Sequence, residues 1–234
     1  MSEHLGSGQF KPAYTGARPD LAGLVPPRTR SLLDVGCATG EMGAALKSRY
    51  PGLTVTGIEV DSDMATVAGP RLDRVVVCSA ESIEDLEREL GADRFDCVVC
   101  GDILEHLKDP WLTLRVLVQH LAADGVVLLS LPNVGHLDTA IQLFLRQRWP
   151  YRDRGIHDSG HLRFFARRNV DDLLAGAGLE LVRMVRRYRI VERPHRLNRL
   201  ARRLALPGLR NLLTFQFVVV ARRALGPPRA HHDR

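Results

Sequence analysis

The segment LLDVGCATGEMGAAL, residues 32–46, constrains the fold more than any other part of the chain. An apolar run carries Asp34, a turn of small residues follows at Gly36, Ala38 and Gly40, and helix-favouring residues begin at once. Small residues let the backbone approach a ligand closely, and a helix N-terminus directs amide N–H groups toward it. Many nucleotide-binding sheets open this way, so the spacing has to separate them. A dinucleotide fingerprint asks for a third glycine five positions after the first, but position 41 is Glu and the glycine falls at 40. The pattern argues against a nicotinamide cofactor.

The same rhythm continues through residues 31–131. Strand candidates at Ser31–Val35, Leu53–Ile58, Arg74–Cys78, Arg94–Cys100 and Val126–Leu131 are each followed by helical markers. That alternation is the signature of a mostly parallel sheet covered on both faces. Asp109-Pro110 reads as an N-cap followed by Pro at the first helical position, predicting a helix over Trp111–Leu121 stopped by Ala123-Asp124-Gly125. Asn169 is expected to cap a helix over Val170–Ala177, and Leu179–Tyr188 and Thr214–Arg222 read as two further strands. With no repeat or low-complexity linker, one α/β domain is expected over 31–234. An N-terminal cap would span 1–30, with insertions at 133–168 and 190–213.

Composition narrows the class. A chain of 234 residues with 45% hydrophobic and 26% charged side chains is neither disordered nor fibrous. Four cysteines without scaffold spacing, a polar N-terminus and no apolar run of ~20 residues lead to the expectation of a cytoplasmic protein. Cys97 and Cys100 are three apart on a strand and should face opposite ways, which favours two small buried hydrophobes over a zinc or redox pair. The net charge of +6 is concentrated late: fourteen arginines between Arg183 and Arg234 face only Glu192 and Asp233. This stretch reads as a solvated face or as a patch for phosphate, nucleic acid or an anionic membrane. Leucines and arginines alternate over Leu197–Leu213, so a helix there would be basic and amphipathic. A pocket cover or docking surface is the first expectation for it, and peripheral membrane contact through 196–213 the second. No aromatic–basic platform is present, so nucleic acid is not expected. His231 and His232 sit in the tail and are expected to be inert.

The D-x-G-x-(G/A)-x-G pattern at 34–40 resembles the first motif of class I S-adenosylmethionine-dependent methyltransferases. The likeness extends through VTGIEVD, CSAES (78–82), FDCVVCGDILEHLKDP (95–110) and DGVVLLSLPN (124–133). It implies a doubly wound, Rossmann-like, mostly parallel seven-stranded sheet and a methyl donor held by Tyr14, Arg18, Asp34, Gly36, Cys37, Ala38, Gly40, Glu59, Val60, Ser79, Ala80, Glu81, Gly101 and Asp102. Within that set Glu59 would accept hydrogen bonds from both ribose hydroxyls, as a carboxylate can. Arg18, in a segment similar to the helix before the first motif of one subset, would meet the donor carboxylate. Asp61 beside Glu59 reads more simply as a helix N-cap. Ser79 stands where the family usually has the Asp that holds the adenine.

Methyl transfer from a sulfonium needs an aligned nucleophile and, for a hydroxyl acceptor, a proton acceptor. His106 and His161 are the candidates for that role. Asp102, Glu105 and His106 would share one face if their loop were helical, and with His161 they resemble the divalent-metal site of two metal-dependent branches. These branches are the ubiquinone-biosynthesis O-methyltransferases and the small-RNA 2′-O-methyltransferases. A metal-assisted O-methyltransferase is therefore the alternative, and a donor-binding partner protein without turnover is a further one. The stretch 133–165, with Trp149 and Tyr151 available for ring stacking, resembles the acceptor wall of methyltransferases of polysaccharide and natural-product pathways. A small-molecule or sugar hydroxyl is the acceptor that this implies.

Overall fold

The structure, a computed structural model, describes residues 16–224. The strands are β1 (Ser31–Val35), β2 (Thr54–Glu59), β3 (Arg74–Val77), β4 (Phe95–Gly101), β5 (Leu121–Pro132), β6 (Leu179–Tyr188) and β7 (Thr214–Arg223). They form one sheet in the order β3-β2-β1-β4-β5-β7-β6, with β7 antiparallel to both its neighbours and the first five parallel. Helices α2 (Glu41–Arg49), α3 (Ser62–Ala68), α4 (Ile83–Leu90), α5 (Pro110–Gln119) and α7 (Arg167–Gly176) accompany these strands. The expected doubly wound α/β architecture is what the chain adopts.

Two apolar layers flank the sheet, and the strands divide their side chains between them. Leu33, Val98, Cys100 and Leu129 point into one layer, and Leu32, Cys97, Val99 and Leu128 into the other. The period of two thus places Cys97 and Cys100 on opposite faces, both fully buried, as the spacing requires. Burial drives the pKa of both thiols upward, which keeps them protonated and inert.

Local signals set most element ends. Asp109 accepts from the amide of Leu112 at 2.9 Å and Pro110 opens α5. Asp61 caps α3 by accepting from the amides of Asp63 and Met64. Asn169 does not cap α7: Ala166 holds that position, and Asn169 reaches back from the first turn to accept from the Ala166 amide at 3.1 Å. Ala123-Asp124-Gly125 does not stop a helix either. It lies inside β5, which begins at Leu121 opposite Phe95 and crosses an irregularity before Val126 meets Cys97.

The connections after β5 and β6 are long. The first carries α6 (Leu137–Ala140) and a π-helical turn over Ile141–Leu145, and the second carries α8 (Asn198–Leu204) and α9 (Arg210–Leu213). The short helix α1 (Pro19–Ala22) packs its buried Leu21 against the sheet. Among the described residues no helix is long and apolar enough to cross a membrane.

Candidate active site

β1 and β4 are adjacent, but their connections run to opposite sides of the sheet. Their carboxyl ends therefore open the crevice in which such sheets bind ligands. A cavity of about 1300 Å³ occupies it, larger than a single small molecule requires. The turn after β1 is held by the amides of Gly36 and Cys37, which both donate to the Ile58 carbonyl at 2.8 and 3.0 Å. Gly36 has φ +75°, and a Cβ there would come within 3.2 Å of Ile103. Ala38 also takes positive φ, and its amide donates to Glu59 Oε2 at 2.8 Å. Glu59 Oε1 accepts from the amides of Val60 and Asp61, both at 3.0 Å.

Three of the roughly four acceptor positions of the Glu59 carboxylate are therefore used by backbone, and the open one is on Oε2. In this conformation Glu59 can take one ribose hydroxyl, not both. A second requires the Val60 or Asp61 bond to give way. Cys37, Val60, Cys78, Ser79 and Ala80 complete this half of the lining. A close-approach turn, a carboxylate at the end of the next strand and a small-residue wall beyond it suit an adenosyl group.

The placement of other expected donor contacts differs. Gly40 lies outside the cavity lining and serves packing instead, since a Cβ there would meet Ala68 and Leu72 at 3.2 Å. Glu81 also lies outside, with Oε1 accepting from the Lys108 amide at 2.5 Å and thereby tying down the loop after β4. Tyr14 falls outside the described residues. Asp34 lines the cavity from within the core, and burial raises its pKa to about 7, opposed by Arg18 and assisted by Glu59.

Arg18 and Asp102 both line the cavity, but they contact each other. Nη1 of Arg18 donates to Asp102 Oδ2 at 2.7 Å, and Nη2 donates to Ser130 Oγ at 2.9 Å. Asp102 Oδ1 in turn accepts from Ser130 Oγ and Gln216 Nε2, both at 2.7 Å. This node removes Asp102 from the expected metal set. The loop after Asp102 makes only a 3-10 turn over Leu104–His106, so Asp102 does not share a helical face with Glu105 and His106.

Glu105, His106 and His161 do come together, with one ligand atom from each within 4.8 Å of the others. His106 Nδ1 lies 3.1 Å from the Gly160 carbonyl, and His161 Nδ1 lies 3.2 Å from that of Ile156. A carbonyl only accepts, so each ring carries its proton on Nδ1 and presents a bare Nε2. The rings meet edge to face at 4.7 Å, and His161 Nε2 stands 4.0 Å from Glu105 Oε1. Glu105 is 1% exposed and its Oε2 has no hydrogen-bond partner. Burial, and secondarily the charge of Asp102, raises its pKa well above the usual carboxylate range.

Several side chains at the site escaped the sequence. Ser130 and Gln216 are lone polar residues in apolar runs (VVLLSLP and FQFVVV), a weak signal that a node is buried there. Glu192, the single acid between residues 190 and 213, is buried against Arg152. It accepts from the Ile156 amide at 2.6 Å and lies 3.2 Å from His157 Nδ1. The fully buried His157 has its other nitrogen 3.1 Å from the Thr139 hydroxyl, and burial together with Arg152 lowers its pKa to about 4. Asp138, His157 and Glu192 also lie close enough to hold a metal, but Arg152 supplies the positive charge there. Trp149 packs on His157 and Phe164 outside the main cavity, whereas the exposed Tyr151 stands at its mouth.

The comparisons agree with this geometry. A family model described as a methyltransferase domain matches residues 11–184. The trans-aconitate 2-methyltransferase of Deinococcus radiodurans is 32% identical over 130 residues, covering 53% of this chain and 46% of that protein. A ubiquinone biosynthesis O-methyltransferase of Xanthomonas oryzae pv. oryzae is 33% identical over 123 residues, covering 51% of this chain and 48% of that protein. The chain thus spans about half the length of these two relatives. The crystal structure of a SAM-dependent methyltransferase from Archaeoglobus fulgidus superposes with a TM-score of 0.59 at 18% identity, over 83% of this chain and 86% of that one, and so shares the fold. With the turn at 36–40, the carboxylate at 59 and the sheet order all in place, the chain belongs to the S-adenosylmethionine-dependent methyltransferases.

Proposed function

We propose that the protein transfers the donor methyl group to a hydroxyl oxygen of a small molecule. The observation that carries this reading is the pair of bare imidazole Nε2 atoms, of His106 and His161, lining the same cavity as the donor turn. S-adenosylmethionine, when bound, supplies an activated methyl. What remains for the protein is to align the hydroxyl, exclude water and take its proton. His161, half-buried and held below the usual imidazole pKa by burial and by His106, is neutral at pH 7 and can accept that proton. The relatives named above for oxygen methylation and for trans-aconitate support small acceptors. The polysaccharide or natural-product setting rests on the sequence likeness of residues 133–165 alone. Incubation with labelled donor and a panel of hydroxylated metabolites, read by product mass, tests the reading. Donor binding without labelled product from any acceptor would favour a non-catalytic partner.

One observation favours a metal-assisted version: the unpartnered Glu105 Oε2 beside two bare Nε2 atoms. Glu105, His106 and His161 would hold a divalent cation, which would polarise the acceptor oxygen and lower its pKa. Asp102 would not take part. Transfer that survives a chelator eliminates this version.

We also propose that α8 and α9 contact an anionic membrane surface. Leu200, Leu204, Leu206 and Leu209 are each more than 40% exposed, interleaved with exposed Arg199, Arg202, Arg203 and Arg210. Guanidinium groups with an apolar ridge suit lipid phosphates and acyl chains. Sedimentation with phosphatidylglycerol vesicles, absent with phosphatidylcholine and lost in the Leu204→Ser/Leu206→Ser/Leu209→Ser variant, is the expected result. Equal sedimentation of that variant overturns the proposal.

A further inference from the structure

We infer that the acceptor is an anion and that Arg189, with Arg154 and Arg193 at the rim, receives its charged group. The inference rests on the methyl-transfer reading and names the substrate class for it.

Arg189 follows β6 directly and enters the cavity wall half-buried. Its guanidinium carbon stands over the Phe215 ring, 4.1 Å from the centroid, a cation–π contact that uses none of its N–H donors. Nη1 donates to the Glu192 carbonyl at 2.7 Å, accounting for one of five N–H donors. Among the described residues no carboxylate pairs with it, because the neighbouring acids are committed elsewhere. Glu192 is held by Arg152, His157 and the Ile156 amide, and Asp20 takes Arg187 at 2.8 Å as well as Arg18.

Arg154 and Arg193 line the same cavity, both exposed; Asp153 precedes the first, and the Glu192 already committed to Arg152 precedes the second. Burial, then the like charges of Arg187 and Arg154, pushes the pKa of Arg189 down. A partly desolvated cation among like charges is costly to keep unless something brings negative charge to it. Its fork suits a carboxylate or a phosphate, both of which accept two parallel N–H bonds.

The position fits an acceptor rather than the donor. Phe215 precedes Gln216, which bonds Asp102, so the Arg189 wall is continuous with the centre of the cavity. It stands on the β6–β7 side, while the donor turn and Glu59 lie on the β1–β2 side. A molecule anchored at Arg189 occupies the cavity that His161 also lines. Geometry of this kind makes a remote charge into an alignment device, since binding energy at one end fixes the reacting oxygen at the other.

Calorimetry tests the site. Protein saturated with S-adenosylhomocysteine is titrated at fixed ionic strength with inorganic pyrophosphate and, separately, with citrate. The expected result is saturable one-to-one binding of at least one anion. Arg189→Gln and Arg154→Gln should each weaken it about tenfold or more, Arg189→Lys should restore part of it, and S-adenosylhomocysteine affinity should stay unchanged. Tighter binding of pyrophosphate assigns a phosphate, and tighter binding of citrate a carboxylate. The Arg202→Gln/Arg203→Gln variant on α8 should bind like the unsubstituted protein. No binding of either anion, binding that survives Arg189→Gln, or an equal loss in the α8 variant overturns the inference. Protein that binds neither S-adenosylhomocysteine nor anion overturns the methyl-transfer reading with it, whereas loss of the anion alone leaves that reading standing.

Discussion

Arg18 and Asp102 are 84 positions apart in sequence and 2.7 Å apart in space, and both hold left-handed backbone, at φ 44° and 57°. Non-glycine residues rarely adopt that conformation, and it persists where surrounding contacts over-determine it. Here the contacts are Asp20 and Ser130 on the arginine, and Ser130 and Gln216 on the aspartate. The pair closes α1 onto the end of β4 and forms one wall of the donor cavity.

Removal of either partner should therefore act on folding and on donor binding together. Arg18→Ala and Asp102→Ala are each expected to weaken S-adenosylhomocysteine binding about tenfold or more. In urea unfolding, the double-mutant cycle should give a coupling of about 0.5–3 kcal/mol, the range for contacting residues in one hydrogen-bond network. A coupling near zero would show that the ion pair is incidental to the fold.

Asp34 should make the protein more stable in mild acid than its other carboxylates would allow. Its folded pKa of about 7 lies above the unfolded value near 3.8, so between those limits the native state binds the extra proton. The stability this proton confers is complete below the unfolded pKa and lost as pH rises through 7. The full span corresponds to roughly 4 kcal/mol, an upper figure for so buried a group. Asp34→Asn cannot titrate, so its unfolding free energy should fall less than that of the unsubstituted protein between pH 5 and pH 8. Parallel curves would place the raised pKa elsewhere.

What the sequence shows and what it conceals divide along the range of the interaction. The turn at Gly36, the Asp61 and Asp109 caps and the alternation of strands with helices follow from local spacing, and the structure reproduces them, whereas the order of the strands in the sheet is a long-range feature. Asn169 takes a neighbouring role within the same turn, because an Asn three residues into a helix bonds the same end of it as an N-cap does. The Arg18–Asp102 pair could not be read in advance. Both residues look like separate ligand contacts until the fold brings them together. Glu192 was equally hidden: a lone acid among arginines reads as surface, yet it is the buried centre of the Arg152–His157 network.

Gly101 supports the same wall from below. A Cβ there would lie 2.8 Å from Leu21 Cδ1 and 3.3 Å from Arg18 Nη1. Gly101→Ala must displace the Leu21 methyl within its fully buried site and crowd the guanidinium on Asp102. A loss of about 1–3 kcal/mol, typical of an overpacked core site, is expected in urea unfolding. Weaker donor binding should accompany it. Gly208→Ala, which meets nothing within 4 Å and lies outside the cavity lining, is the control that should change neither.

The cysteines offer a check on the sheet itself. Cys97 and Cys100 are fully buried on opposite faces, so neither a disulfide nor a shared zinc is open to them. Folded protein should leave both thiols unmodified by a thiol reagent on the timescale that labels the more exposed Cys78, and denaturant should release both together. Zinc retained stoichiometrically through Cys97 and Cys100 would contradict the strand assignment of β4.

The pH dependence of transfer should report on His161. Burial, followed by the charge of His106, holds its pKa below the ordinary 6.5, with Asp158 and the Ile156 carbonyl opposing. A base must be neutral to act, so kcat should be level through neutral pH and fall on the acid side of the usual imidazole value. His106→Asn removes a neighbour that lowers the His161 pKa, so it should move the acid limb to higher pH while His161→Asn abolishes the limb with most of the rate. An acid limb that stays in place in His106→Asn would mean that a group other than His161 takes the proton, and Glu105, raised in pKa by its burial, would be the next to substitute.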